Sequence, residues 1–475
     1  MIFNSFNFLV IYPFLFLLYY LIPARFHQIR NLFLLALSYI LYIYWKPSYA
    51  LILLGVTLIT FYGAIFLKKY DHSEQKGTWS LLSFLVLLSA APLLVFKYYV
   101  FLTDSISSAF SWIGLSMSLP GLNLMIPIGI SFFTFQALGY LWDVYYGKIE
   151  PEKKFLHYAL FISFFPSIVA GPINKASLVL PQIKTLRPYF DYTKVVGGMK
   201  MLLWGMFMKV VVADRTALYV DAVLNSYENY TGMTCLFACI LYSIQIYADF
   251  AGYSLMAIGV GKTLGFELTE NFKRPYFAFS VTDFWRRWHI SLSTWLKDYI
   301  YIPMGGSRCS KLRNYWNILL TFLVSGIWHG ANWTFVVWGA LHGLFQVVEK
   351  ALGQQKCNYG YIGKTIKIII TFCLVSFAWI FFRMPSLNDC FKLILHICDT
   401  SLPLTLFIDT KVLAFVFIGI VILWIYDFIE ENCPNKIKIL SNNNRIVRWF
   451  GYITLVVYIL LAGVFSSDQF IYANF

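Results

Sequence analysis

Apolar runs of helical length, separated by short polar loops, fill most of the chain. They cover residues 2–22, 31–45, 48–67, 79–101, 124–146, 155–170, 195–212, 233–260, 314–329, 331–348, 366–383, 404–427 and 449–466. A membrane-spanning helix needs about 20 consecutive apolar residues, and several of these runs fall short. The pattern predicts an all-α polytopic membrane protein of roughly eleven transmembrane helices, with the shorter runs as re-entrant or interfacial pieces. No internal repeat is visible. The chain reads as a single integral-membrane domain over 1–475, with its chemical core at approximately 124–350.

The polar positions orient this pattern. Arg25 and Arg30 follow the first run, Lys68, Lys69 and Lys76 occupy the loop near 68–78, and Lys148, Lys153 and Lys154 the loop near 147–154. The intervening loop, 102–123, carries no basic residue. Cytoplasmic loops are enriched in Lys and Arg, so these basic loops are expected in the cytoplasm and the N-terminus outside. The stretch 262–313, with nine Lys and Arg residues, belongs on the cytoplasmic side. The first run lacks the basic flank and small-residue cleavage site of a signal peptide and is read as a retained span.

Composition sharpens this picture. Hydrophobic residues make up 59% and charged residues 13% of the chain, whereas soluble domains carry about 25% charged residues. The net charge of +14 comes from loops between apolar runs, a topology signal with affinity for anionic headgroups rather than nucleic acid. The eight cysteines include no CxxC pair, and no disulfide framework or metal site is indicated.

Three segments carry polar groups where lipid-facing residues would be expected. In LVSGIWHGANWTFVVWGALHG (323–343), His329 lies among indoles with Gly326, Gly330 and Asn332 close by. Ionisable groups inside a span are costly and mark wet cavities or reacting sites, and an imidazole is suited to general-base work near neutral pH. The glycines have a bland reading as helix contacts. His342 carries a weaker version of the argument, its bland reading being a helix-to-helix hydrogen bond.

In DFWRRWHISLSTWLKDYI (283–300), Phe284, Trp288, Leu292, Trp295 and Tyr299 fall on one helical stripe. The bland reading is an interfacial amphipathic helix. The functional reading has Arg286 and Arg287 clamping a phosphate, Trp285 and Trp288 walling a passage, and His289 between them. In YADFAGYSLMAIGVGKTLGFELTENFKRPY (247–276), Asp249 requires a buried partner, with Arg286 or Arg287 as candidates. Gly252, Gly259, Gly261 and Gly265 mark close helix packing or a break. Gly261-Lys262-Thr263 imitates the end of a P-loop, but Met256 stands where the motif needs glycine and no strand precedes it. No HExxH, GxSxG elbow or paired-carboxylate site is present.

Together, PIGISFFTFQ (127–136), SFFPSIVAGPI (163–173), DFAGYS (249–254), GFELTENFKRPY (265–276), DFWRRWHISLSTWLKDYIYIPMGGSR (283–308), SGIWHGANW (325–333) and QFIY (469–472) resemble the membrane-bound O-acyltransferase (MBOAT) family. The closest likeness is to its bacterial alginate O-acetyltransferase type. One departure is Leu255 after GYS, where that type reads GYSD. The form DFAGYSL is nearer the D-alanyl transferases of teichoic acids.

The resemblance implies a funnel-like multi-helix fold in the bacterial cytoplasmic membrane. It also implies transfer of an acyl group, acetyl first and D-alanyl second, from a thioester to a hydroxyl. The family's intramembrane histidine matches His329, and its upstream polar position matches His289. The donor would be acyl-CoA or an acyl carrier protein on the cytoplasmic side, with no tightly bound cofactor. It would be held near Arg286 and Arg287 and pass Trp285, Trp288 and Trp328. Asn332 or His289 would donate a hydrogen bond to the oxyanion. The acceptor would be an extracytoplasmic polysaccharide, reached directly or through an SGNH-hydrolase-like partner. A lipid-linked saccharide transporter is the reading from another class; it would release no free thiol.

Overall fold

A computed structural model describes residues 3–69, 75–115, 125–187, 189–354, 359–399, 403–404, 410–433 and 440–465. Among these residues the regular elements are helices and none is a strand. Eight helices are long and apolar enough to cross a membrane, among them Pro47–Lys69, Gly232–Thr263 and Tyr361–Arg383. The other apolar runs form shorter helices such as Phe6–Leu21, or helices that interleave polar residues such as Lys311–His329. The all-α polytopic expectation holds. QFIY (469–472) lies outside the described residues.

The chain folds into two compact units. One comprises Tyr12–Val195 with Gly261–Thr269. Its buried Arg187 donates to Tyr19 Oη (3.1 Å), the Gln182 carbonyl (2.8 Å) and Asn31 Oδ1 (2.5 Å), and stacks over Phe266. A buried guanidinium is tolerated because its donors are satisfied.

The other unit comprises Met1–Ile11, Val196–Val260 and Glu270–Phe475 and holds all the candidate site residues. Its helices are labelled α1 (Tyr192–Met206), α2 (Asp214–Leu224), α3 (Gly232–Thr263), α4 (Val281–Arg287), α5 (Ile290–Leu296), α6 (Lys311–His329), α7 (Trp333–Ala351), α8 (Tyr361–Arg383) and α9 (Thr410–Asn432). Helix α1 crosses α3 backbone to backbone. A Cβ on Gly205 would stand 2.6 Å from the Gly252 carbonyl, and one on Gly259 2.7 Å from that of Gly198. Close packing is thus the role of Gly252 and Gly259. Between α1 and α2, a π-helical segment, Phe207–Ala213, presents Lys209. Its ammonium lies 2.6 Å from both Asp214 and Asp249. Asp249 has the buried partner its position demanded, but the partner is Lys209, not Arg286 or Arg287.

The expected continuous helix over 283–300 is broken. Helix α4 ends at Arg287, and His289 takes a left-handed backbone (φ 43°, ψ 53°) before α5 starts. The cause is the segment 271–273 running alongside. Lys273 N donates to the Arg287 carbonyl, and Ile290 N donates to the Asn271 carbonyl, both at 2.9 Å. All five residues of the predicted stripe are nevertheless buried. The start of α4 is fixed by Ser280, which accepts from Asp283 N, and by the Glu349 carboxylate of α7, which accepts from Val281 N and Thr282 N. Negative charge at a helix N-terminus is stabilising.

Helices α6 and α7 form the tightest pair. A Cβ on Gly326 would lie 2.3 Å from the Phe335 carbonyl, and one on Gly339 2.3 Å from that of Phe322. Small residues allow this approach. Asn332 closes the turn between them. Its Oδ1 accepts from Thr334 N (3.0 Å) and its Nδ2 donates to the Pro385 carbonyl (2.7 Å).

Gly326→Val is expected to lower stability by about 1–3 kcal/mol through overpacking, read as a lower thermal midpoint in detergent. An unchanged midpoint would contradict the contact. Asn332→Ala is expected to cost about 1 kcal/mol as a lost N-cap, with Asn332→Asp recovering the cap; equal midpoints for the two variants would show that the cap carries no stability.

Candidate active site

His329 is the last residue of α6 and is 2% exposed. Its ring lies 4.8 Å from Trp328, 4.9 Å from Trp338 and 5.4 Å from Phe382, centroid to centroid and all near edge-to-face. The neighbours come from α6, α7 and α8, so the shell depends on the whole helix cluster. His289 stands 6.5 Å away, fully buried, against Phe250 (4.7 Å) and Trp328 (6.0 Å). The two predicted histidines, forty residues apart in the chain, therefore face one another in a shell of aromatic carbon.

His289 Nδ1 lies 3.2 Å from Asn271 Oδ1. Burial pushes the His289 pKa down to about 3, because an imidazolium has no hydration there. Trp338 is 0% exposed, and its Nε1 has no hydrogen-bond partner among the described residues.

His342 serves the bland role. Its Nδ1 accepts from Trp285 Nε1 at 3.1 Å, tying α7 to α4. That bond orients Trp285, which forms a wall of a cavity of about 440 Å³. The cavity also touches Arg286, Lys297, Lys350, Gln346 and Phe322, and among the described residues no carboxylate lines it. Its size is that of a small-molecule site. Trp285 is 5.7 Å from Trp338, so two ring contacts lead from the cavity wall to His329. Along α6, seven residues separate Phe322 from His329, about 10 Å at 1.5 Å rise.

The predicted arginine pair does not act as a pair. Arg286 lines the cavity. Arg287 points elsewhere, with its guanidinium 3.0 Å from Asp283 and 2.9 Å from Glu431. Burial opposes its charge, but the two carboxylates override this and hold its pKa above the usual value. The cations sharing the cavity with Arg286 are Lys297 and Lys350. Trp328 lies against both histidines, its ring 4.8 Å from His329 and 6.0 Å from His289. Trp288 stacks on Phe284 (5.4 Å) and meets Trp379 at a tilt (5.1 Å, 51°). Asn332 has both ends of its amide engaged in the α6–α7 turn.

Sequence reading passed over Lys350, Trp338 and the part played by Asn271. Trp338 sits nine residues past His329, a spacing that becomes proximity only because α6 and α7 form a hairpin. Lys350 ends the same hairpin. Among the described residues, no group of three or more His, Cys, Asp or Glu is placed to hold a metal ion.

Residues 151–388 match the family model for the membrane-bound O-acyltransferases. The chain is 39% identical to a probable alginate O-acetylase of Pseudomonas syringae, over 82% of this chain and 73% of that protein. It is 35% identical to a peptidoglycan O-acetyltransferase of Helicobacter pylori, over 77% and 73%. Similarity to a teichoic acid D-alanyltransferase of Bacillus subtilis is lower, 25% over 55% and 70%. The chain belongs to the membrane-bound O-acyltransferase family.

Proposed function

We propose that this O-acyltransferase moves an acetyl group from a phosphate-bearing thioester to a hydroxyl of an extracytoplasmic polysaccharide. The observation that carries the reading is the cavity with Arg286, Lys297 and Lys350 on its walls, joined by Trp285 and Trp338 to His329. Three cations without a carboxylate suit the phosphates of an acyl-CoA or the phosphopantetheine of an acyl carrier protein. The elongated arm of either donor would carry the thioester past Trp285 toward His329. The basic stretch 262–313 supports a cavity on the cytoplasmic side of the bacterial inner membrane, and the alternation of basic loops before it supports an N-terminus outside.

The acceptor hydroxyl arrives from outside, on the polysaccharide itself or on a serine of an SGNH-hydrolase-like partner. His329 takes its proton as the new C–O bond forms. The C–S bond breaks, the proton passes to the departing sulfur, and the products are an ester and a free thiol. The Trp338 indole N–H, buried beside His329, is available to the developing oxyanion. Aromatic walls keep water from hydrolysing the thioester. The relatives named as O-acetylases and O-acetyltransferases favour acetyl over D-alanyl, although Leu255 after GYS is shared in form with the latter. Family membership sets the transporter reading aside.

The test uses protein in lipid nanodiscs with acetyl-CoA and a polysaccharide acceptor, following free thiol. His329→Ala is expected to lower the rate by about 10²–10⁴-fold in a protein that still folds; release independent of His329 would overturn the reading. Arg286→Ala and Lys297→Ala are each expected to raise the donor KM about tenfold or more, the worth of one charge-assisted hydrogen bond, with little change in kcat. Arg287→Ala is expected to lower stability and leave the donor KM unchanged. A KM that moves with Arg287 and not with Arg286 or Lys297 would refute the cavity as the donor site.

A further inference from the structure

Asn271 occupies an unusual place. It is 1% exposed, and its Oδ1 faces three groups of the broken α4–α5 connection: Ser291 N (3.1 Å), Ser291 Oγ (2.9 Å) and His289 Nδ1 (3.2 Å). Its backbone carbonyl accepts from Ile290 N. One residue therefore holds the left-handed turn at His289 from two sides. A non-glycine residue in that conformation is strained and persists only where its surroundings enforce it.

The same contacts decide where the His289 proton resides. Ser291 N is a backbone donor, so the Asn271 atom facing it is the oxygen; a flipped amide would set N–H against N–H. The atom facing His289 Nδ1 is then also an acceptor. A bare Nδ1 would place two lone pairs 3.2 Å apart. Nδ1 therefore carries the hydrogen. Because burial keeps the ring neutral, Nε2 carries the lone pair.

Resting on the acyl-transfer reading above, we infer that Asn271 is a positioning residue that fixes His289 as its Nδ1–H tautomer. His289 then offers Nε2 as an acceptor to the incoming hydroxyl and has no proton to give the thioester oxygen. This reverses the oxyanion-donor role that the sequence suggested for His289. It also divides the labour in the shell. His329 takes the hydroxyl proton, His289 can only accept a hydrogen bond, and donation to the oxyanion falls to a group such as the Trp338 indole.

The test is ¹⁵N NMR of histidine-labelled protein in nanodiscs, with the His289 signals assigned by their loss in His289→Gln. The expected spectrum shows a protonated, pyrrole-type Nδ1 and a bare, pyridine-type Nε2. Protonation at Nε2 in the wild-type protein would overturn the inference. Asn271→Leu is expected to abolish the single tautomer and to slow acyl transfer tenfold or more. Asn271→Asp, which keeps the acceptor oxygen, is expected to restore the Nδ1–H state and most of the rate. A tautomer unchanged in Asn271→Leu would equally refute the role, however far the rate fell. Because the tautomer is read without turnover, a wild-type protein with the expected spectrum and no transfer would count against the proposed reaction and not against this assignment.

Discussion

Everything at the site depends on keeping polar nitrogens dry. Two imidazoles and several indole N–H groups sit in the core of a helix cluster, where burying a polar group is costly. Such a cost is met only if the surrounding framework cannot rearrange to let the groups escape. Here the framework is the backbone contact of α6 on α7 at Gly326 and Gly339, the Glu349 cap on α4 and the Asn271 clamp on His289. Each removes a degree of freedom that the aromatic shell alone would leave open. The shell in turn denies the ring nitrogens hydration, which keeps the His289 imidazole neutral.

The charged residues of the same unit are sorted by role. Lys209, Asp214 and Asp249 satisfy one another inside the helices and brace α3 against the π-helical segment. Breaking such a buried pair from one side typically costs about 3–5 kcal/mol, so this group is structural in its consequences whatever else it touches. Arg287, Arg274 and Glu431 tie the end of α9 to the segment that carries Asn271 and to the end of α4. Arg274 shares the left-handed backbone of His289, with φ 45°. The two strained residues flank the short stretch from which His289 is held. Arg286, Lys297 and Lys350 remain for the cavity, and their charge is not cancelled by a carboxylate on its walls.

Much of this was legible in the sequence, and the limits have physical causes. A histidine in an apolar run stands out because burying its ring nitrogens is costly, so His329, His289 and His342 could be singled out but not told apart by role, and the helical class follows from run length. The break at His289 could not be read, because the heptad-like stripe across it is intact; the competing hydrogen bonds come from residues 271–273, which only tertiary structure brings alongside. Pairing Arg286 with Arg287 was an error of adjacency. Successive residues on a helix point about 100° apart, and here Asp283 and Glu431 take one of them. Asp249 was rightly expected to need a partner, but Lys209 lies forty residues upstream in a segment with no local signal of contact. A reading that folded 311–351 into a hairpin could have found Trp338 near His329 at its turn and Lys350 beside Asn314 at its open end.

The central claim is that the donor lies in the basic cavity with its reactive end directed through the indoles to His329. The most direct measurement is a cryo-electron microscopy structure in nanodiscs with the non-reactive thioether analogue of acetyl-CoA. The account predicts density for phosphates against Arg286, Lys297 and Lys350, with the arm alongside Trp285 and the acyl carbon within about 3–4 Å of where a hydroxyl bonded to His329 would sit. An analogue bound elsewhere, or bound in the cavity with its arm turned away from Trp285 and Trp338, would contradict it.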